Sequence, residues 1–208
     1  MTQIKNLLPG VVYPSAESLQ RNAERGIETN LTLVKAYREA FSAFAGRTAL
    51  TGQDGRMTYA ELDAETDAIA AGLVKLGLEP LDRAMFQMAN GAALIKCLLA
   101  CWKAGVIPIC TLYSHREAEI GYLANHAKAK AYFVQAGDPK FDHAAFAMTM
   151  LKVAPSLKHV IVSGETLVTG PGLVHLNDLR TQGTDAAALE ALRRIGEQLD
   201  PRQPVVFQ

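Results

Sequence analysis

The stretch from Arg83 to Cys110 constrains the fold most, because one apolar segment of helical character sits between two short apolar runs. Asn90 is placed to cap a helix. The residues after it are mostly Ala, Leu, Lys and Cys, with Ile95 the single β-branched residue, and Gly105 is placed to stop the helix. Its polar positions are Lys96 and Lys103, one heptad apart and so within about 20° of each other on one edge, where solvation is the simplest expectation. Every other face is apolar, so the helix must be covered on most sides. The flanking runs Ala84 to Met88 and Val106 to Cys110 have the length of buried parallel strands. The unit reads as β-α-β and predicts an α/β domain, layered, with a mostly parallel sheet flanked by helices.

The pattern on either side extends that reading. Residues 1–30 are polar, carry Pro9, Gly10, Pro14 and Gly26 and keep no period, which predicts an irregular lead-in with at most one short helix. From Asn30, the residues Leu33, Val34, Tyr37, Phe41 and Phe44 recur at helical spacing up to Gly46. Thr48 to Thr51 and Arg56 to Thr58, joined through Asp54-Gly55, predict a β-hairpin. Thr58 and Glu61 fit a capping box opening a helix through Leu62, Ile69 and Leu73. Beyond the central unit, Ser114 can cap a helix with Glu117 as its box partner. Ala131 to Val134 reads as a strand, His143 to Val153 as a helix and His159 to Val162 as a strand. Ser163 to Gly172 reads as a loop, and Leu173 to Leu176 as an edge strand followed by a turn or short helix near Asp178. Asp185 opens a helix with Leu189, Leu192, Ile195 and Leu199 as its expected buried stripe, and Pro204 to Gln208 looks like the start of a further strand.

Charge and composition exclude several classes. The 21 basic and 21 acidic residues among 208 cancel without like-charge runs, so neither nucleic acid nor an anionic membrane surface is expected as a partner. No window approaches the ~18 apolar residues of a membrane span and the N-terminus has no signal core, which predicts a cytoplasmic protein. Cys97, Cys101 and Cys110 sit inside the most apolar stretch and are expected as reduced core residues, without the further ligands a zinc site needs. No Gly-rich phosphate loop, paired carboxylates, nucleophile elbow or metal-spaced cluster occurs.

The order of local motifs resembles the N-terminal part of the AMP-forming acyl- and aryl-CoA synthetases, the adenylate-forming ligase superfamily. The residues that carry it are Arg47-Thr-Ala-Leu50, Met57-Thr-Tyr-Ala-Glu-Leu62, Arg83-Ala-Met-Phe-Gln-Met-Ala-Asn90 and Trp102-Lys-Ala-Gly-Val-Ile-Pro-Ile109. Leu112-Tyr-Ser-His-Arg-Glu-Ala-Glu-Ile120 looks like the Ser-His segment of aryl-AMP ligases that activate benzoate-type acids such as dihydroxybenzoate. The ending Val206-Phe-Gln208 looks like the strand before their phosphate loop.

The resemblance implies a parent ligase that uses ATP and Mg2+ to convert a small carboxylic acid into an acyl- or aryl-adenylate. The acyl group then passes to CoA or to a carrier-protein thiol. It implies that residues 31–208 form an incomplete N-terminal α/β subdomain, truncated just before the phosphate loop. The catalytic residues are expected beyond Gln208, none of the residues here is expected to bind a metal, and the fragment alone is expected to be inactive and to bind no cofactor. Ser114, His115 and Arg116 are the CoA-side candidates, since a guanidinium suits phosphate. A truncated layer would expose apolar surface and so favour self-association. The alternative is a free-standing, non-enzymatic α/β module that binds a ligand or a protein.

Overall fold

Side-chain caps set the first elements of this computed structural model, which describes residue 4 and residues 6–27, 30–52 and 55–207. α1 (Ala16–Glu24) opens where the Ser15 hydroxyl accepts from the Ser18 N–H at 3.2 Å, and α2 (Leu33–Ala43) where the Thr32 hydroxyl accepts from the Lys35 N–H at 3.1 Å. β1 (Thr48–Gly52) and β2 (Gly55–Thr58) pair antiparallel, with Gly55 at φ 104°. Gln53 and Asp54, the middle of the predicted turn, lie outside the described residues. α3 (Tyr59–Lys75) starts on the predicted capping box. Thr58 Oγ1 accepts from the Glu61 N–H at 3.3 Å, and the Glu61 carboxylate accepts from the Thr58 N–H at 2.7 Å. Those donations, from the Thr58 N–H first and its hydroxyl second, hold the Glu61 carboxyl below its ordinary range.

The elements that follow are β3 (Arg83–Gln87), α4 (Ala92–Lys103), β4 (Ile107–Cys110), α5 (Glu117–Ala127), β5 (Ala131–Gln135), α6 (His143–Val153), β6 (His159–Ser163), β7 (Leu173–His175), α7 (Leu176–Gln182) and α8 (Ala186–Gln198). The strands form one parallel sheet in the order β4-β3-β5-β6-β7. Alternate side chains of each strand enter opposite layers. Ala84, Phe86, Phe133 and Ile161 pack with residues of α3, α4, α7 and α8, while Met85, Tyr132, Val134 and Val160 pack with those of α5 and α6. At the β4 edge the Phe207 N–H donates to the Pro108 carbonyl at 2.9 Å, and the Cys110 N–H donates to the Phe207 carbonyl at 3.1 Å. The expected final strand is thus a single parallel bridge, with Gln208 outside the described residues.

Several local expectations are corrected. The N-cap of α4 is Gly91, in extended backbone and without a side-chain cap, one residue after Asn90. Lys103 is not solvated and Lys96 is only partly so. Lys103 is 1% exposed, with Nζ 2.5 Å from Asp63 Oδ1 and 2.8 Å from Asp67 Oδ1, and Lys96 Nζ lies 3.3 Å from Glu65. The cause is that α4 packs along α3, so its one polar edge meets the acidic edge of its neighbour. Cys110, the last residue of β4, is exposed rather than part of the core. In α8 the buried face is Ala188 and Leu192, and Leu189 is exposed. Among the described residues, no helix is long and apolar enough to cross a membrane.

Candidate functional site

β3, β4 and β5 end side by side, and in parallel sheets the loops leaving the carboxyl ends of strands are where ligands gather. Gln87, the last residue of β3, is fully buried there, beside fully buried Tyr132 of β5. The Tyr132 hydroxyl donates to Gln87 Oε1 in a short hydrogen bond. Burial pushes that phenol well above its ordinary range, so it stays protonated and a donor. The amide is thereby oriented. Gln87 Nε2 donates to the His115 carbonyl at 2.7 Å and to the Tyr113 carbonyl at 3.1 Å. The Thr111 hydroxyl closes the base of the same loop on the Phe86 carbonyl at 2.8 Å.

The three residues singled out from the sequence share this loop but differ in surroundings. Ser114 is exposed and is not the cap of α5: the helix begins at Glu117, and the Glu119 carboxylate accepts from the Arg116 N–H at 3.0 Å. The loop carbonyls are pulled inward by Gln87, which keeps residues 113–115 out of the helix and delays its start. His115 is half-buried, and its Nδ1 is enclosed without a hydrogen-bond partner among the described residues. Arg116 is exposed, yet its guanidinium lies 3.8 Å over the ring of Phe141, which follows β5, and its Nη1 donates to the His115 carbonyl at 2.7 Å and the Tyr113 carbonyl at 3.3 Å.

A second set of rings ties the loop after β4 to the loop after β5. Tyr113 stacks on His143 at 4.1 Å between centroids, and His143 meets Phe141 edge-on at 4.8 Å. Burial and then the nearby Asp138 carboxylate raise the Tyr113 phenol. Sequence reasoning missed Gln87, Tyr132, Phe141 and His143. Gln87 had a signal, being the one polar residue in the run Ala84 to Met88. Phe141 had none, because its role depends on a loop 25 positions earlier in the chain.

Chemically, this edge offers a planar cation on a loop hydrogen-bonded to the sheet, which suits a phosphate or carboxylate. Among the described residues, no group of three or more His, Cys, Asp or Glu side chains is placed to hold a metal ion. A basic recess of about 500 Å3 at the opposite edge of the sheet, with Arg83, Lys130 and Lys158, has another explanation. Arg83 donates to the Ala127 carbonyl at the end of α5, Lys158 to the Pro155 carbonyl after α6, and Lys130 pairs with Asp82.

Residues 37–207 match the family described as AMP-binding enzyme. The chain is 32% identical over 164 residues to the vibriobactin-specific 2,3-dihydroxybenzoate-AMP ligase of Vibrio cholerae, covering 79% of this chain and 30% of that protein. It is 39% identical over 111 residues to the salicyl-AMP ligase / salicyl-S-ArCP synthetase of Mycobacterium tuberculosis, covering 53% of this chain and 20% of that one. Among solved structures, apo MbtA of Mycobacterium smegmatis matches with a TM-score of 0.72 and 30% identity, over 86% of this chain and 31% of that chain. The chain therefore spans less than a third of the length of each.

Proposed function

The chain belongs to the AMP-binding enzyme family, and on that premise we propose that it forms the N-terminal α/β layer of an ATP-dependent ligase that activates an aromatic carboxylic acid. The observation that carries the aromatic preference is the 32% identity, over 79% of this chain, to a ligase named for 2,3-dihydroxybenzoate. The salicylate-named relative supports the same class of substrate.

The reaction has two steps. The acid's carboxylate displaces pyrophosphate at the α-phosphate of ATP, and a thiol then displaces AMP from the resulting mixed anhydride. The thiol acceptor is CoA or the pantetheine arm of a carrier protein. Residues 1–30 act as a lead-in to the unit 31–208. The groups that hold the triphosphate and Mg2+ are supplied by parts of the ligase other than residues 1–208. Ser114, His115 and Arg116 face the thiol donor, with Arg116 the phosphate-binding group.

Pyrophosphate exchange tests this. The ligase carrying this chain should exchange pyrophosphate into ATP in the presence of hydroxybenzoates, and residues 1–208 alone should not. Exchange with fatty acids but no benzoate would overturn the aromatic reading, and silence with every carboxylic acid would overturn the ligase reading.

A further inference from the structure

The carbonyls of Tyr113 and His115 each accept one hydrogen bond from buried Gln87 and one from exposed Arg116, and His143 Nε2 also lies 3.3 Å from the Tyr113 carbonyl. A continuous chain of contacts therefore runs from the Tyr132 hydroxyl through the Gln87 amide and these two carbonyls to the Arg116 guanidinium. Phe141 adds a further contact, with the Arg116 Cζ over its ring at 3.8 Å from the centroid. Phe141 is itself braced by His143 and by Phe146 of α6, at 4.8 Å and 5.3 Å between ring centroids.

Resting on the reading of Arg116 as the phosphate-binding group, we propose that Phe141, Gln87 and Tyr132 are positioning residues that preset Arg116 for a phosphate of the thiol donor. An exposed arginine ordinarily samples many rotamers, and ordering it upon binding weakens the complex. Here the ring fixes the plane of the guanidinium, and the carbonyls engage Nη1. Among the described residues Nε and Nη2 make no hydrogen bond, which leaves the edge that forms a two-point contact with phosphate oxygens. Stacking on a ring is compatible with that contact, since the ring occupies the face and the phosphate the edge. The Glu119 carboxylate of α5 accepts from the Arg116 N–H.

The test compares CoA with pantetheine, which has the thiol but no phosphate, by titration calorimetry of the ligase that carries this chain. The variants are Arg116→Ala, Phe141→Leu, Phe141→Tyr and Tyr132→Phe, with pyrophosphate exchange measured in parallel. Arg116→Ala should weaken CoA binding about tenfold. Phe141→Leu should weaken it several-fold, Tyr132→Phe by less, and Phe141→Tyr should restore it. The double variant Arg116→Ala/Phe141→Leu should bind CoA no more weakly than Arg116→Ala. In each weakened variant CoA binding should fall more than pantetheine binding, and exchange identifies any variant whose fold is lost.

Wild-type protein that binds CoA no better than pantetheine, or an Arg116→Ala variant with undiminished CoA affinity, defeats the reading of Arg116 and this inference with it. A loss in Arg116→Ala with none in Phe141→Leu or Tyr132→Phe overturns the positioning roles alone. Equal weakening of CoA and pantetheine by Phe141→Leu would mark that ring as structural and overturn its assignment.

Discussion

Cys97 and Cys101 have no exposure on the face of α4 that meets the sheet, whereas Cys110 reaches the surface at the end of β4. Burial pushes the Cys97 thiol from 9.0 up to about 12, despite the Lys96 charge nearby, and raises Cys101 well above its ordinary value. A bulky maleimide should therefore modify Cys110 in the native protein and all three thiols after denaturation. Prompt native labelling of Cys97 would show that α4 opens. Because the folded state keeps the Cys97 proton more tightly, its stabilising contribution is complete below about 9 and is lost as pH rises toward about 12. Urea unfolding across that window should show a falling midpoint, and Cys97→Ala should make the fall shallower. Gln87 illustrates a different residue-scale effect, since its side chain makes the contacts of a short piece of backbone. Its role was legible only as an anomaly, one amide in an apolar strand, because the carbonyls it binds lie 26 and 28 positions later.

Between elements, α3 contacts α4 through charge and α7 through missing side chains. Lys103 is enclosed by Asp63 and Asp67, and Arg38 of α2 reaches the same pair, with its guanidinium 2.9 Å from Asp67. Lys103→Met should cost about 3 kcal/mol in urea unfolding, the low end for breaking a buried pair, because both carboxylates stay partly solvated and keep Arg38. A cost below about 1 kcal/mol would show that the lysine escapes to water. On the α7 side, a Cβ at Gly183 would sit 1.7 Å from the Ala68 carbonyl oxygen, and one at Gly72 would sit 2.3 Å from that of Leu179. Gly183→Ala should therefore destabilise by at least about 2 kcal/mol. Gly196→Ala, in α8 with nothing within 4 Å of the added carbon, should stabilise by about 0.5–1 kcal/mol. Equal effects at the two sites would contradict the close approach of α3 and α7.

At the scale of the whole molecule, the segment after α8 returns to the β4 edge, and Trp102 records its position. The Trp102 indole N–H donates to the Val205 carbonyl at 2.5 Å, and its ring lies 5.9 Å from that of Tyr37 in α2. Phe207→Pro removes the N–H that bonds Pro108, so the segment should detach and the emission of Trp102 should shift to longer wavelength. An unchanged spectrum would show that the segment is held elsewhere. What the sequence determined by itself is whatever lies within a few turns of chain. The β-α-β unit, the capping box at Thr58 and Glu61 and the alternation of strands and helices were all legible, because periodicity and caps are local physics. Four motifs in order likewise carried the resemblance to the ligase family. Tertiary structure decided the strand order β4-β3-β5-β6-β7, the burial of Lys103 against residues 36 to 40 positions away and the seat of Arg116 on Phe141. These pairings join residues far apart in the chain, and a charge or a ring carries no local mark of its partner. Packing of whole elements sets which edges meet, and only then does a lysine that reads as solvated become a buried cation or an exposed arginine come to lie over a ring.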